Sequence, residues 1–125
     1  MSQFSGIAPQ IVVSDVVATA TYYRDVLGFT LFGYFLDPPV YAMVGRDGIQ
    51  IHFGKADGEA VQQTNVPLRK VGFDLYIWVS DIDALYAELL ERGADLVEKP
   101  VDRVYGNREC AVRDCNGFKI TFGQL

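Results

Sequence analysis

The residues best equipped for chemistry in this 125-residue chain lie on alternating positions of three short apolar runs. In Phe73–Ser80 one side carries Asp74, Tyr76, Trp78 and Ser80: an acid, two amphipathic aromatics and a hydroxyl. In Ile49–Gly54 the corresponding set is Gln50 and His52, and in Phe118–Gly123 it is Lys119 and Thr121. Successive strand residues point to opposite faces, so each set shares a face if the runs are strands. An acid beside an imidazole could form an acid–base pair, Asp74 raising the pKa of His52; a plain hydrogen bond in a polar pocket is the simpler expectation. Tyr76 and Trp78 offer flat faces for stacking a ring. Large aromatics are seldom left bare in water, which leaves two readings for Trp78, a small-molecule pocket or an aromatic subunit interface.

Other chemistry finds little support. The chain has no Gly-rich phosphate loop, no Gly-x-Ser-x-Gly elbow and no Cys-x-x-Cys pair. Cys110 and Cys115 have no histidine beside them in sequence and are too few for a disulfide framework, so reduced thiols are expected. A net charge of −5 with no basic run argues against nucleic acid as partner. The same acidity suits a cationic small molecule. No apolar run approaches a bilayer span, and MSQFSGIAPQ lacks the charged start of a signal peptide, so a cytoplasmic protein without membrane partners is expected.

The elements that position these residues repeat. Ile11–Ala18 and Ile77–Ala84 match at an offset of 66 and share Val-Ser-Asp. In both, a β-rich run meets a Ser-Asp helix cap, and the helix that follows closes at Gly28 or Gly93. Ile82, Leu85, Leu89 and Leu90 mark the buried side of the second helix; Val16, Tyr22, Tyr23 and Val26 mark the first. Three strands are expected after each helix: Thr30–Leu36, Val40–Val44 and Ile49–Phe53, then Asp95–Glu98, Arg108–Arg113 and Phe118–Phe122. Asp47-Gly48 and Asn116-Gly117 supply hairpin turns. The plan is a strand–helix–strand–strand–strand module, twice: module one over 7–54, a linker over 55–71 and module two over 72–125. One α+β domain with helices on a single face of the sheet is expected. The opposite face then carries Gln10, Gln50, His52, Asp74, Tyr76, Trp78 and Thr121.

This pattern resembles the vicinal oxygen chelate superfamily, which includes glyoxalase I, fosfomycin-modifying enzymes, extradiol dioxygenases and bleomycin-resistance proteins. The resemblance covers nearly the whole chain. It is carried by VSDVVATATYYRDVLGF at 13–29, DLYIWVSDIDALYAELLERGA at 74–94 and YGNRECAVRDCNGF at 105–118. It implies a cup-shaped, partly open mixed sheet from two βαβββ modules, and a homodimer. Enzymes of the superfamily hold a divalent metal on the first and last strands of each module. Those positions here are Ala8, Gln50 or His52, Asp74 and Thr121. Alanine cannot ligate and threonine is a poor ligand, whereas a stable site wants about three His or carboxylate donors. The resemblance therefore implies loss of the metal and of metal-dependent catalysis, with no cofactor expected. A divergent metal-dependent lyase or dioxygenase is the alternative.

The last segment also resembles the Trp-Gly-x-Arg-Glu and Arg-Asp-Pro-x-Gly pattern of bleomycin-resistance proteins, which sequester a bulky cationic drug without chemistry. Tyr105 stands where the ligand-stacking tryptophan would be, and Cys115 where the proline would be. Arg108 and Glu109 are expected to form an ion pair or to brace the loop above the pocket. The residues expected to line that pocket are Gln50, His52, Asp74, Tyr76, Trp78, Tyr105, Arg108 and Thr121, with Asp74 as the polar anchor.

Overall fold

The computed structural model describes residues 1–59, 64–69 and 72–125, and it divides into two compact units, Met1–Val61 and Gln62–Leu125. The first unit contains β1 (Gln10–Val13), α1 (Val16–Asp25), β2 (Thr30–Phe35), β3 (Tyr41–Arg46) and β4 (Ile49–Lys55). The second contains α2 (Asn65–Arg69), β5 (Leu75–Trp78), α3 (Ile82–Glu91), β6 (Asp95–Asp102), β7 (Arg108–Arg113) and β8 (Lys119–Gln124). Each unit forms a four-stranded mixed sheet, in the order β1-β4-β3-β2 and β5-β8-β7-β6. The first strand of each pairs in parallel with the last; the other pairs are antiparallel. The duplicated α+β plan expected from the sequence is present.

Local chemistry sets the helix ends. Asp15 accepts from the Ala18 N–H at 2.9 Å and Asp81 from the Ala84 N–H at 3.0 Å, so the aspartate of each repeated Ser-Asp is the cap. At the end of α3 the Ala94 N–H returns to the Leu89 carbonyl and that of Gly93 to Leu90, a closure that needs the left-handed backbone of Gly93 (φ 81°).

One face of each sheet packs on its helix. In the first unit Ile11, Val13, Ala42, Val44, Ile51 and Phe53 are buried with Val16, Ala20, Tyr23 and Leu27. The Tyr23 ring lies 4.8 Å from Phe53 and 5.6 Å from Phe29. In the second, Ile82 and Leu89 of α3 are buried with Cys110, Val112, Ile120 and Phe122. Removing apolar surface of this kind from water contributes about 25 cal/mol per Å².

Several boundaries differ from expectation. The stretch read as linker holds the short helix α2, with Pro67 in the first turn, where its missing N–H costs no hydrogen bond. Residues 60–63 and 70–71 of that linker lie outside the described residues. Strand β6 runs four residues beyond Glu98, through Pro100; it is an edge strand, where a missing donor is tolerated. Leu90, expected on the buried side of its helix, is exposed in the last turn of α3; Phe73, just before β5, and Ile49, the first residue of β4, are exposed as well. No helix among the described residues is long and apolar enough to cross a membrane.

Candidate functional site

The face of the second sheet turned away from α3 is organised in two rows by the strand register. Tyr76 pairs with Thr121, Thr121 with Ala111 and Ala111 with Glu98; Trp78 pairs with Gly123 and Gly123 with Glu109. Partners in register share a face. Aromatics therefore occupy the β5 edge; the Tyr76 row runs through small residues to an acid on β6, and the Trp78 row through a glycine to an acid on β7. Adjacent strands lie about 4.8 Å apart, so Tyr76 and Glu98 are roughly 14 Å apart along the sheet.

At the aromatic edge Trp78 is 58% exposed and its ring centroid lies 4.7 Å from that of Tyr76, which in turn lies 5.3 Å from Phe73. The Tyr76 ring extends over Gly123, where a β-carbon would fall 1.8 Å from the phenolic oxygen. Glycine at 123 is thus a spatial requirement.

The centre of the site is Glu109, 3% exposed. Its carboxylate accepts from the Tyr76 hydroxyl at 2.7 Å, the Tyr105 hydroxyl at 2.9 Å and Arg103 Nε at 3.1 Å. Asn107 Nδ2 donates to the Tyr76 oxygen at 3.1 Å. Three of these groups come from the β6–β7 loop, which folds back through the Arg103 N–H bond to the Asn107 carbonyl and the left-handed Gly106 (φ 98°). Arg103 also donates from Nη2 to Glu98 Oε1. Burial pushes the Glu109 carboxyl up, but the bonds from Tyr76, Tyr105 and Arg103, with the guanidinium charge, outweigh it and hold the pKa below the ordinary value. Burial, then the bond to Glu109, pushes Tyr76 up to about 12. The same two causes raise Tyr105, and the bonds to Glu98 and Glu109 raise Arg103. The carboxylate is ionised and both phenols are neutral donors.

Arg108 stands elsewhere. Neighbours in a strand face opposite ways, so Arg108 cannot pair with Glu109, and the ion pair expected between them is absent. Its guanidinium instead bonds Asp83 of α3 at 3.0 Å and Asp102 at 3.1 Å, on the helix-facing side of the sheet. The partner of Glu109 is Arg103. Asp74 is likewise fully engaged: Oδ1 accepts the Asn65 N–H at 2.6 Å and Oδ2 that of Lys119 at 2.9 Å. It clamps the start of β8 to α2. Thr121 is buried at the middle of the row.

The first unit carries its own polar cluster. His52 Nδ1 lies 2.8 Å from the Tyr41 hydroxyl and Nε2 lies 3.0 Å from Gln50 Oε1. An amide oxygen only accepts, so Nε2 carries the hydrogen. Gln10 pairs with His52 and extends over Gly54, much as Tyr76 extends over Gly123.

These partners decide whether the metal implied by the resemblance fits. Ala8 offers no donor, Thr121 only a buried neutral hydroxyl, and both oxygens of Asp74 hold backbone N–H groups. Both ring nitrogens of His52 already have side-chain partners. Among the described residues no group of three or more His, Cys, Asp or Glu side chains could hold a metal ion. The residues do not fit such a centre.

Glu98, Arg103 and Asn107 were missed by sequence reasoning, and Glu109 was read only as structural. The signal available was YGNRE itself, where the alternation of β7 puts Glu109, and not Arg108, on the aromatic face.

No curated protein sequence matches the chain. Among solved structures, TioX from Micromonospora sp. ML1 is similar with a TM-score of 0.76 at 21% identity, over 97% of this chain and 98% of that one. The virulence protein STM3117 from Salmonella typhimurium gives 0.70 at 24% identity, over 100% and 99% of the two chains. A superfamily member from Sphaerobacter thermophilus DSM 20745 gives 0.75 at 21% identity, over 98% of each. These likenesses establish the fold. The family model matches residues 7–122, and the chain belongs to the glyoxalase/bleomycin resistance protein/dioxygenase superfamily.

Proposed function

We propose that the protein is a metal-independent binding protein for an aromatic, positively charged small molecule of the kind sequestered by bleomycin-resistance proteins. The observation that carries this reading is the pairing of an exposed Trp78, its ring tilted against that of Tyr76, with a half-buried cluster in which one guanidinium faces two carboxylates. The aromatic faces attract a flat cation through stacking and cation–π contact, worth about 0.5–2 kcal/mol each. The excess negative charge beside them likewise favours a cation. Bound aromatic cations need no metal here, and the failed donor set supports that part of the reading.

Trp78 is the sole tryptophan, so selectively excited tryptophan emission reports on this face. Titration with bleomycin-type drugs and simpler aromatic cations should quench or shift it, and a ligand at 100 times its Kd should add about 2.7 kcal/mol of stability. A panel that changes neither signal, or an anionic thiol adduct that changes both, would defeat the reading.

We further propose a homodimer. Phe32 and Phe35, on the His52 side of the first sheet, are 55% and 60% exposed, which suits a subunit contact. Sedimentation equilibrium tests this: a dimer is expected, dissociating in Phe32→Ser/Phe35→Ser, and a monomer at all concentrations rejects it. Loss of dimerisation in Trp78→Ser would instead assign the aromatic face to the interface.

A further inference from the structure

Sequence reasoning assigned the charged anchor of the site to Asp74, but both its oxygens already hold backbone N–H groups. The carboxylate in the aromatic row itself is Glu98. It stands in the same row as Tyr76, separated from it by Thr121 and Ala111, and its side chain is 31% exposed. Arg103 holds Oε1; among the described residues no donor reaches Oε2. Arg103 thus holds Glu98 through one oxygen and leaves the other to a ligand.

The remaining polar groups point the same way. The hydroxyl hydrogens of Tyr76 and Tyr105 are both committed to Glu109, so what Tyr105 presents outward is oxygen lone pairs. Arg103 keeps hydrogens on Nη1, but two carboxylates against its one charge leave the cluster a net acceptor of positive charge. The aromatic faces of Tyr76 and Trp78 attract any cation and do not ask whether it carries N–H. A fixed carboxylate oxygen does ask, because a charge-assisted hydrogen bond forms only with a donor.

We propose that Glu98 receives the cationic end of the ligand and selects a protonated amine, amidine or guanidine over a quaternary ammonium of the same charge. The ligand spans the sheet, its ring on Trp78 and Tyr76 and its N–H cation on Glu98. This rests on the binding reading above and adds to it a residue and a chemical class.

The test uses the full chain and a matched pair of probes, an arylalkylammonium ion whose alkyl chain is long enough to cover the roughly 14 Å between Tyr76 and Glu98, and its N,N,N-trimethyl counterpart, titrated by calorimetry and by Trp78 fluorescence. The ammonium ion should bind at least about tenfold tighter, the worth of one hydrogen bond to a charged group. Glu98→Gln, which keeps an acceptor for Arg103, should bring the two affinities together. Trp78→Leu, read by calorimetry, should weaken both probes alike. Equal binding of the two probes to the unaltered protein overturns the proposal while leaving the binding reading intact, and needs no variant to fold. A preference that survives Glu98→Gln also overturns it. If neither probe binds, the binding reading and this assignment fall together.

Discussion

Tyr76 occupies the space that a side chain at position 123 would need: a β-carbon there would lie 1.8 Å from its hydroxyl oxygen and 2.4 Å from Cζ. Gly123→Ala should therefore evict the ring, breaking its bond to Glu109 and its contact with Trp78. Loss of one donor to a buried carboxylate should cost about 1–3 kcal/mol in chemical denaturation. Trp78 emission should shift even without ligand. Unchanged emission and stability would mean the ring can lean aside freely.

The Glu109 cluster should give stability a characteristic pH dependence. Its carboxyl is held below its ordinary pKa of 4.5, so its contribution is present above that value and is lost as pH falls through the lower folded one. Tyr76 works in the opposite direction. Its pKa rises from 10.0 to about 12, so its contribution is complete below about pH 10 and lost as pH climbs through 12. Glu109→Gln should cost about 2 kcal/mol at neutral pH. The difference from the parent should narrow toward acid, and the Tyr76 titration, followed by tyrosinate absorbance, should move down. A constant difference at every pH would show that the charge is not what matters.

Asp74 ties two backbone segments together, so Asp74→Ala should behave as a structural lesion. We expect a loss of about 2 kcal/mol for two unsatisfied or rehydrated N–H groups, with hydrogen exchange accelerating at Asn65 and Lys119. Affinity for aromatic cations should fall less than in Glu98→Gln. The reverse order would restore Asp74 as the anchor.

Divalent metals should leave the protein indifferent. Purified without chelator and dialysed against zinc, nickel, iron(II) or manganese, it should retain no stoichiometric ion and show no shift in Tm. A stoichiometric ion removed by His52→Ala would point to a ligand set other than the one at the superfamily's usual positions.

Local features of the fold were legible in the sequence because they are encoded within a few residues. Asp15 and Asp81 cap the helix that immediately follows them, and Gly93 closes its own helix. The alternation in β1 and β5 placed Gln10, Tyr76 and Trp78 on the right face by period alone. What was not legible depends on register between strands distant in sequence. Nothing in GADLVEKPVDRVYGNRE says that Glu98 will stand beside Ala111, or that two irregularities in β6 will bring Arg103 against both Glu98 and Glu109. The partners of Asp74 were hidden for a related reason. Its residue type announces an acid, but its partners, Asn65 and Lys119, lie nine and 45 residues away.

Both sheets place a glycine of the last strand beneath the side chain of a first-strand residue: Gly54 beneath Gln10, Gly123 beneath Tyr76. Such a socket uncouples the backbone from the chemistry displayed above it. An amide fills one copy and a phenol the other, on the same parallel pairing of first and last strands. Exchanging the occupant of a socket is a single-residue step that leaves the ladder untouched. The two halves of this chain carry different occupants in equivalent sockets.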